Sequence, residues 1–183
     1  ISISGNVYTL GISFSVTPDG SETLTVNPAS ATAIYDGASN AAAASQSNNT
    51  ATLNDKTVPT ISSVSLASDN STIAVIFSET VYTTTDASSF PVVGDFVFSI
   101  SGGTATLSSA TPSSISISGN VGEIYLIYTL GISFSVTPDG SETLTVNPAS
   151  ATAIYDAASN AAAASQSNNT ATLNDKTVPT ISS

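Results

Sequence analysis

The stretch IYLIYTLGISFSVTPDG, residues 124–140, decides the fold. Ile124, Leu126, Tyr128, Leu130, Ile132, Phe134 and Val136 fall on one parity, and Thr129, Gly131, Ser133 and Ser135 fall on the other. A period of two residues puts one set on each face of an extended chain, so this is a strand with one apolar face. Pro138-Asp139-Gly140 then supplies a turn, because Pro presets φ and Gly tolerates positive φ. Leu144 and Val146 begin a shorter strand that Pro148 ends.

The same reading extends outward. Ile73, Val75 and Phe77 alternate with Thr72, Ala74 and Ile76, and Phe96, Phe98 and Ile100 alternate up to Gly102-Gly103. Ile115 and Ile117 alternate with serines before Gly119-Asn120. The pattern predicts strands near 60–66, 72–82, 95–101, 103–109, 113–118, 124–136, 142–147 and 168–173. Ala157 to Ala164 is the one helix candidate, but it lacks an apolar face and reads as a loop or single turn. Short strands at this density predict an all-β chain, an antiparallel sandwich or barrel, and their number fits an immunoglobulin-like antiparallel β-sandwich.

Residues Tyr8 to Ser63 recur at Tyr128 to Ser183, 120 positions later, with one change, Gly37 to Ala157. Such self-similarity marks a tandem array. The expected division is 1–54 as the C-terminal half of one repeat, 55–174 as a complete repeat, and 175–183 as the linker and first strand of the next. Asn54-Asp55-Lys56-Thr57-Val58-Pro59, repeated at Asn174 to Pro179, is the boundary. Ile1 to Val7 matches Ile115 to Val121, after which the second copy inserts Gly122 to Ile127. Six is even, so the insertion leaves every downstream side chain on its original face. The half repeat is expected to be completed by preceding sequence or by another chain.

The charge inventory narrows function. Against 13 acidic residues there are only Lys56 and Lys176, for a net charge of -11. Nucleic acid needs cationic groups to displace counterions, so it is excluded as a partner. No apolar run is long enough to span a bilayer as a helix, and membrane insertion is not expected. Without His, Cys or Arg, Ser-His-Asp, Cys-His and zinc-hydrolase chemistry are out of reach. A carboxylate pair is the remaining catalytic option, with Asp86, Asp95 and Glu123 as its candidates, and the chain is expected not to be an enzyme.

Asp55 and Pro59 in the linker, Phe77-Ser78-Glu79 with Val81, and Asp156-Ala157-Ala158-Ser159-Asn160 together resemble the bacterial immunoglobulin-like repeats of surface-layer proteins and giant secreted adhesins. Ser159 stands where that family usually has Gly. The resemblance implies a non-catalytic tandem β-sandwich at the cell surface or outside the cell.

Calcium is the sharpest chemical expectation, since a hard cation wants carboxylate and amide oxygens. Asp36, Asn40, Asp55, Glu79, Asp156, Asn160 and Asp175 are the candidate ligands, near the ends of the repeats. The competing reading is that Asp156 and Asn160 cap a turn. One lysine per repeat is compatible with an isopeptide crosslink, although an exposed linker lysine accounts for it more simply. Asn48, Asn70 and Asn168 open N-glycosylation triplets that chance explains in this composition. Tyr128 is expected in the core, and Tyr125 is the candidate for an exposed binding contact.

The expected function is an extender or fibre-forming repeat whose partners are adjacent repeats and other copies in a fibre. The alternatives are a multivalent adhesive module binding glycan or a partner surface, and a filament subunit completed by strand exchange between chains.

Overall fold

A computed structural model of the chain describes residues 1–119 and 126–181. The chain is all-β with antiparallel sheets, and it divides into two compact units, Ile1–Thr57 and Val58–Ser183.

Among the described residues the second unit holds seven strands: β5 (Ile61–Leu66), β6 (Thr72–Phe77), β7 (Phe96–Ser101), β8 (Ile115–Ser118), β9 (Ile127–Gly131), β10 (Thr143–Pro148) and β11 (Thr170–Thr172). They form a four-stranded sheet in the order β5-β6-β9-β8 and a three-stranded sheet in the order β11-β10-β7. The alternation predicts which side chains turn inward. Ile73, Val75 and Phe77 of β6, Leu144 and Val146 of β10, and Tyr128 and Leu130 of β9 are all buried. Both sheets contribute to one apolar cluster. At its centre the rings of Phe77, Phe96 and Tyr128 lie with centroids 6.0–6.4 Å apart, and Phe77 meets Tyr128 edge to face at 89°. The Tyr128 hydroxyl donates to the Val81 carbonyl at 3.1 Å, satisfying the one polar atom this ring brings inside.

Chain entry and exit sit at opposite ends of this unit. The Ile61 N–H, at the start of β5, donates to Gln166 Oε1 ahead of β11. Asn70, in the turn after β5, is bonded to Asn174 beyond β11. The two strands therefore run side by side in the same direction.

The first unit contains β1 (Ser2–Ser4) paired with β2 (Val7–Thr9), and β3 (Thr23–Thr25) paired with β4 (Thr50–Thr52). From Tyr8 its sequence duplicates 128–177 but for one residue, yet β2 and β3 are shorter than their counterparts, while β4 matches β11. The counterpart of β2, β9, runs on to Gly131 because β6 lies against it, with Ile73 opposite Leu130 and Thr72 opposite Gly131. β10 likewise extends through Pro148 along β7. Strand content here follows the neighbour and not propensity.

Where the copies share local partners, they agree. Ile3 faces Tyr8 and Ser2 faces Thr9; Ile117 faces Tyr128 and Ser116 faces Thr129. The extra six residues leave that register intact, as their even number requires.

Two strand expectations are revised. No strand forms over 103–109, where Leu107 makes one isolated bridge to Phe134. β9 stops at Gly131: the Ile132 N–H makes one last bond on the β6 register, to the Ser71 carbonyl, and the Ser135 N–H then goes to the Thr106 carbonyl. The Ala-rich segment is not helical: Tyr155 bridges to Ala161 across a loop. Asn120, Glu123, Ile124 and Tyr125, including the proposed Tyr125 contact, lie outside the described residues.

Candidate functional site

Polar chemistry in the second unit gathers where the inward parity of a strand is occupied by a carboxylate. Glu142 shares the face of Leu144 and Val146 and has no solvent exposure. Its Oε1 accepts the Thr104 N–H at 3.0 Å and the Ala105 N–H at 2.8 Å; its Oε2 accepts those of Asp139 at 3.1 Å and Gly140 at 3.2 Å. Burial pushes this carboxyl up, and the backbone donors of Ala105, Asp139 and Thr104 reverse that, leaving it below the ordinary glutamate value. The carboxylate thus clasps the Gly102-Gly103 turn to the Pro138-Asp139-Gly140 turn. Gly102 (φ +76) would bring a Cβ within 2.6 Å of the Ser141 carbonyl oxygen, and one on Gly103 (φ +52) would overlap the Glu142 carboxylate.

Sequence reading passed over Glu142. Its parity with Leu144 and Val146 was the signal, but its partners Thr104 and Ala105 are too distant in sequence to be foreseen.

Asp156 continues the inward parity of Ile154 and is also buried. Its Oδ1 accepts the N–H of Ala158 at 2.8 Å and of Asn160 at 2.7 Å, and its Oδ2 accepts Asn160 Nδ2 at 2.7 Å. This is the turn-capping arrangement, with Ser159 at φ +70, in the left-handed region where Gly is at ease. Asp36 and Asn40 repeat it in the first unit at 2.8–2.9 Å, there fully exposed, so the loop is a local property of the sequence. The Asn40 amide and backbone hold the Asp36 carboxyl below its usual value.

The second unit adds Glu79, whose carboxylate oxygen lies within 4.8 Å of that of Asp156. Two acidic oxygens this close, one of them buried, can hold a metal ion. The fit is partial. Three N–H donors take most of the lone pairs on Asp156, which leaves room for one further contact.

Asp55, in the first unit, accepts the Thr57 N–H at 2.8 Å, and Asp175, in the second, accepts the Thr177 N–H and hydroxyl at 2.7 and 2.6 Å. Both are linker turns. In each copy the linker is strapped to the Pro-Asp-Gly turn, with the Lys56 N–H donating to the Pro18 carbonyl and the Lys176 N–H to Pro138, both at 2.9 Å. Both lysines are exposed, as linker residues would be.

Asp86 accepts from Ser88 and Asp95 from Val92, so each of these serves a local turn; Glu123 lies outside the described residues. Asn70 and Asn174 form a further lock that the sequence did not disclose. Asn70, buried at φ +63, donates to the Asn174 carbonyl at 2.7 Å and accepts the Asn174 N–H at 2.9 Å.

No family profile, curated protein or solved structure matches this chain.

Proposed function

We propose that the chain is a non-catalytic structural segment, an extender or fibre element, of a large extracellular or cell-surface protein built from tandem immunoglobulin-like repeats. The strand order supports the immunoglobulin-like reading. Lettered A to G in chain order, β5 to β11 give sheets A-B-E-D and G-F-C, the seven-strand arrangement of that fold. The observation that carries the function is the placement of entry and exit at opposite ends of a unit whose second half occurs twice. A repeat entered at one end and left at the other adds its own length to the array.

Chains lengthened by one, two and three 120-residue repeats test this by small-angle scattering. The largest dimension should grow by a constant roughly 40 Å per repeat, from a six-residue strand plus a six-residue linker at about 3.3 Å per residue. Increments that shrink with each added repeat would overturn the extender reading.

The Glu79–Asp156 pair favours calcium as a stabilising ion in this reading, with remaining ligands from backbone carbonyls and water. Tyr82 and Phe90 support the adhesive alternative. Their rings stack at 5.4 Å and 18°, with Phe90 43% exposed, a flat surface of the kind sugars stack on.

A further inference from the structure

One sequence sits in two environments, and the difference between them outlines a binding surface. Tyr128, Leu130, Leu144, Val146 and Ile154 have no solvent exposure, whereas their duplicates Tyr8 and Leu10 are 62% and 50% exposed and Val26 and Ile34 are 46% and 56%. Pro18 alone is buried in the first unit. In the second unit the covering elements are β5, β6, β7 and the Gly102–Leu107 segment, all from residues 58–119.

We propose that the first unit is a receptor surface for a polypeptide with the sequence of residues 58–119, the N-terminal half of a repeat. Three features of the first unit define the fit. The strip Tyr8, Leu10, Ile12 and Phe14 carries the inward parity of a strand whose duplicate, β9, has its second edge paired by β6. A pocket of about 230 Å³ is lined by Ile12, Phe14, Pro18, Leu53 and Asn54. Its lining duplicates Ile132, Phe134, Pro138, Leu173 and Asn174, and in the second unit Asn174 receives Asn70 from the Ala67–Ser71 turn. That turn is the matching plug.

The third feature is Glu22, the duplicate of Glu142. Among the described residues its carboxylate accepts the Asp19 N–H, at 3.2 and 3.3 Å, and its remaining oxygen capacity matches two backbone donors like those after Gly102-Gly103. The occupant is therefore a strand-forming segment that brings an Asn-bearing turn and a Gly-Gly turn. A generic apolar partner supplies neither. The inference rests on the two copies being one structural unit, not on the extender role, so the scattering series and the experiment below can fail separately.

The test adds a separate 58–119 polypeptide, diluted from urea, to the full chain. Expected are a one-to-one complex by native mass spectrometry and amide protection appearing at Val7–Thr9 and Thr23–Thr25. Leu10→Asp should weaken binding at least tenfold and Glu22→Gln several-fold, with unfolding of the second unit unchanged.

Because the free polypeptide can aggregate, a second chain carries residues 58–119 fused ahead of Ile1. Burial raises the Tyr128 phenol to about 12; enclosing Tyr8 in the fusion should add one late-ionising tyrosine to the titration of the unmodified chain. No complex together with no additional late tyrosine overturns the proposal. Concentration-dependent dimerisation of the unmodified chain that Leu10→Asp abolishes overturns it as well, since the occupant would then be a second copy of the same face.

Discussion

Leu10 and Leu130 occupy the same local sequence, Tyr-Thr-Leu-Gly-Ile-Ser-Phe-Ser, so contributions from the unfolded chain cancel when each is changed to alanine. What differs is burial. Leu130 is fully enclosed, opposite Ile73 on one side and Ile115 on the other, while half of Leu10 remains in water. Leu130→Ala loses the transfer energy of the removed carbons and leaves a cavity that two flanking strands cannot close, about 3–4 kcal/mol together. Leu10→Ala opens no enclosed space and costs about 0.5–1 kcal/mol at most. Urea unfolding followed by near-ultraviolet circular dichroism reports on the packed Tyr128 ring. With a slope of about 1.5 kcal/mol per molar, Leu130→Ala should lower this midpoint by roughly 2–3 M, and Leu10→Ala, in the other unit, should leave it unmoved. Equal shifts for the two substitutions would refute the reasoning, because sequence-local effects would then outweigh the covering half.

Glu142 has its folded pKa below its unfolded value, so its contribution to stability is complete above the unfolded pKa and is lost as pH falls through the folded one. Glu142→Gln should flatten that acid limb in melting curves taken from pH 6 to pH 2. Part of the slope will survive, because Asp19, Asp69, Asp86 and Asp175 are held low by Ser21, Ser71, Ser88 and Thr177 respectively. Gly103→Ala should destabilise by about 2–4 kcal/mol, since it combines a positive φ with displacement of the buried carboxylate, and calorimetry would read it as a lower midpoint. Millimolar calcium should raise the melting temperature of the full chain relative to chelator, and Glu79→Gln should abolish the rise; an unchanged midpoint in the parent chain would sink the calcium reading.

Much of the second unit was legible because alternation is a local code. The parity of Ile73, Val75, Phe77, Tyr128, Leu130, Leu144 and Val146 gives their burial directly, and the even insertion gives the β8–β9 register. What alternation cannot give is which neighbour ends a strand. Ser133 to Val136 keeps the alternation of β9 but leaves β6, because Ser133 and Ser135 are bonded to Ser108 and Thr106 around the Leu107–Phe134 bridge.

The candidate site divides on the same ground. The Asp156–Asn160 turn is readable from five residues and recurs in the exposed first copy. Glu142 with Thr104, and Asn70 with Asn174, join residues 38 and 104 positions apart, and composition gives no sign of them.

The side-by-side course of β5 and β11 has a mechanical consequence. A pull on the two ends of the second unit tries to slide these strands past each other lengthwise. The Ile61–Gln166 bond and the Asn70–Asn174 bonds, one set at either end, then share the load. Bonds loaded in parallel must fail together, whereas a hairpin pulled from its open end parts one rung at a time. Tension along the chain therefore meets this unit in its resistant direction, and a sideways peel of β11 from β10 meets it in its weak one.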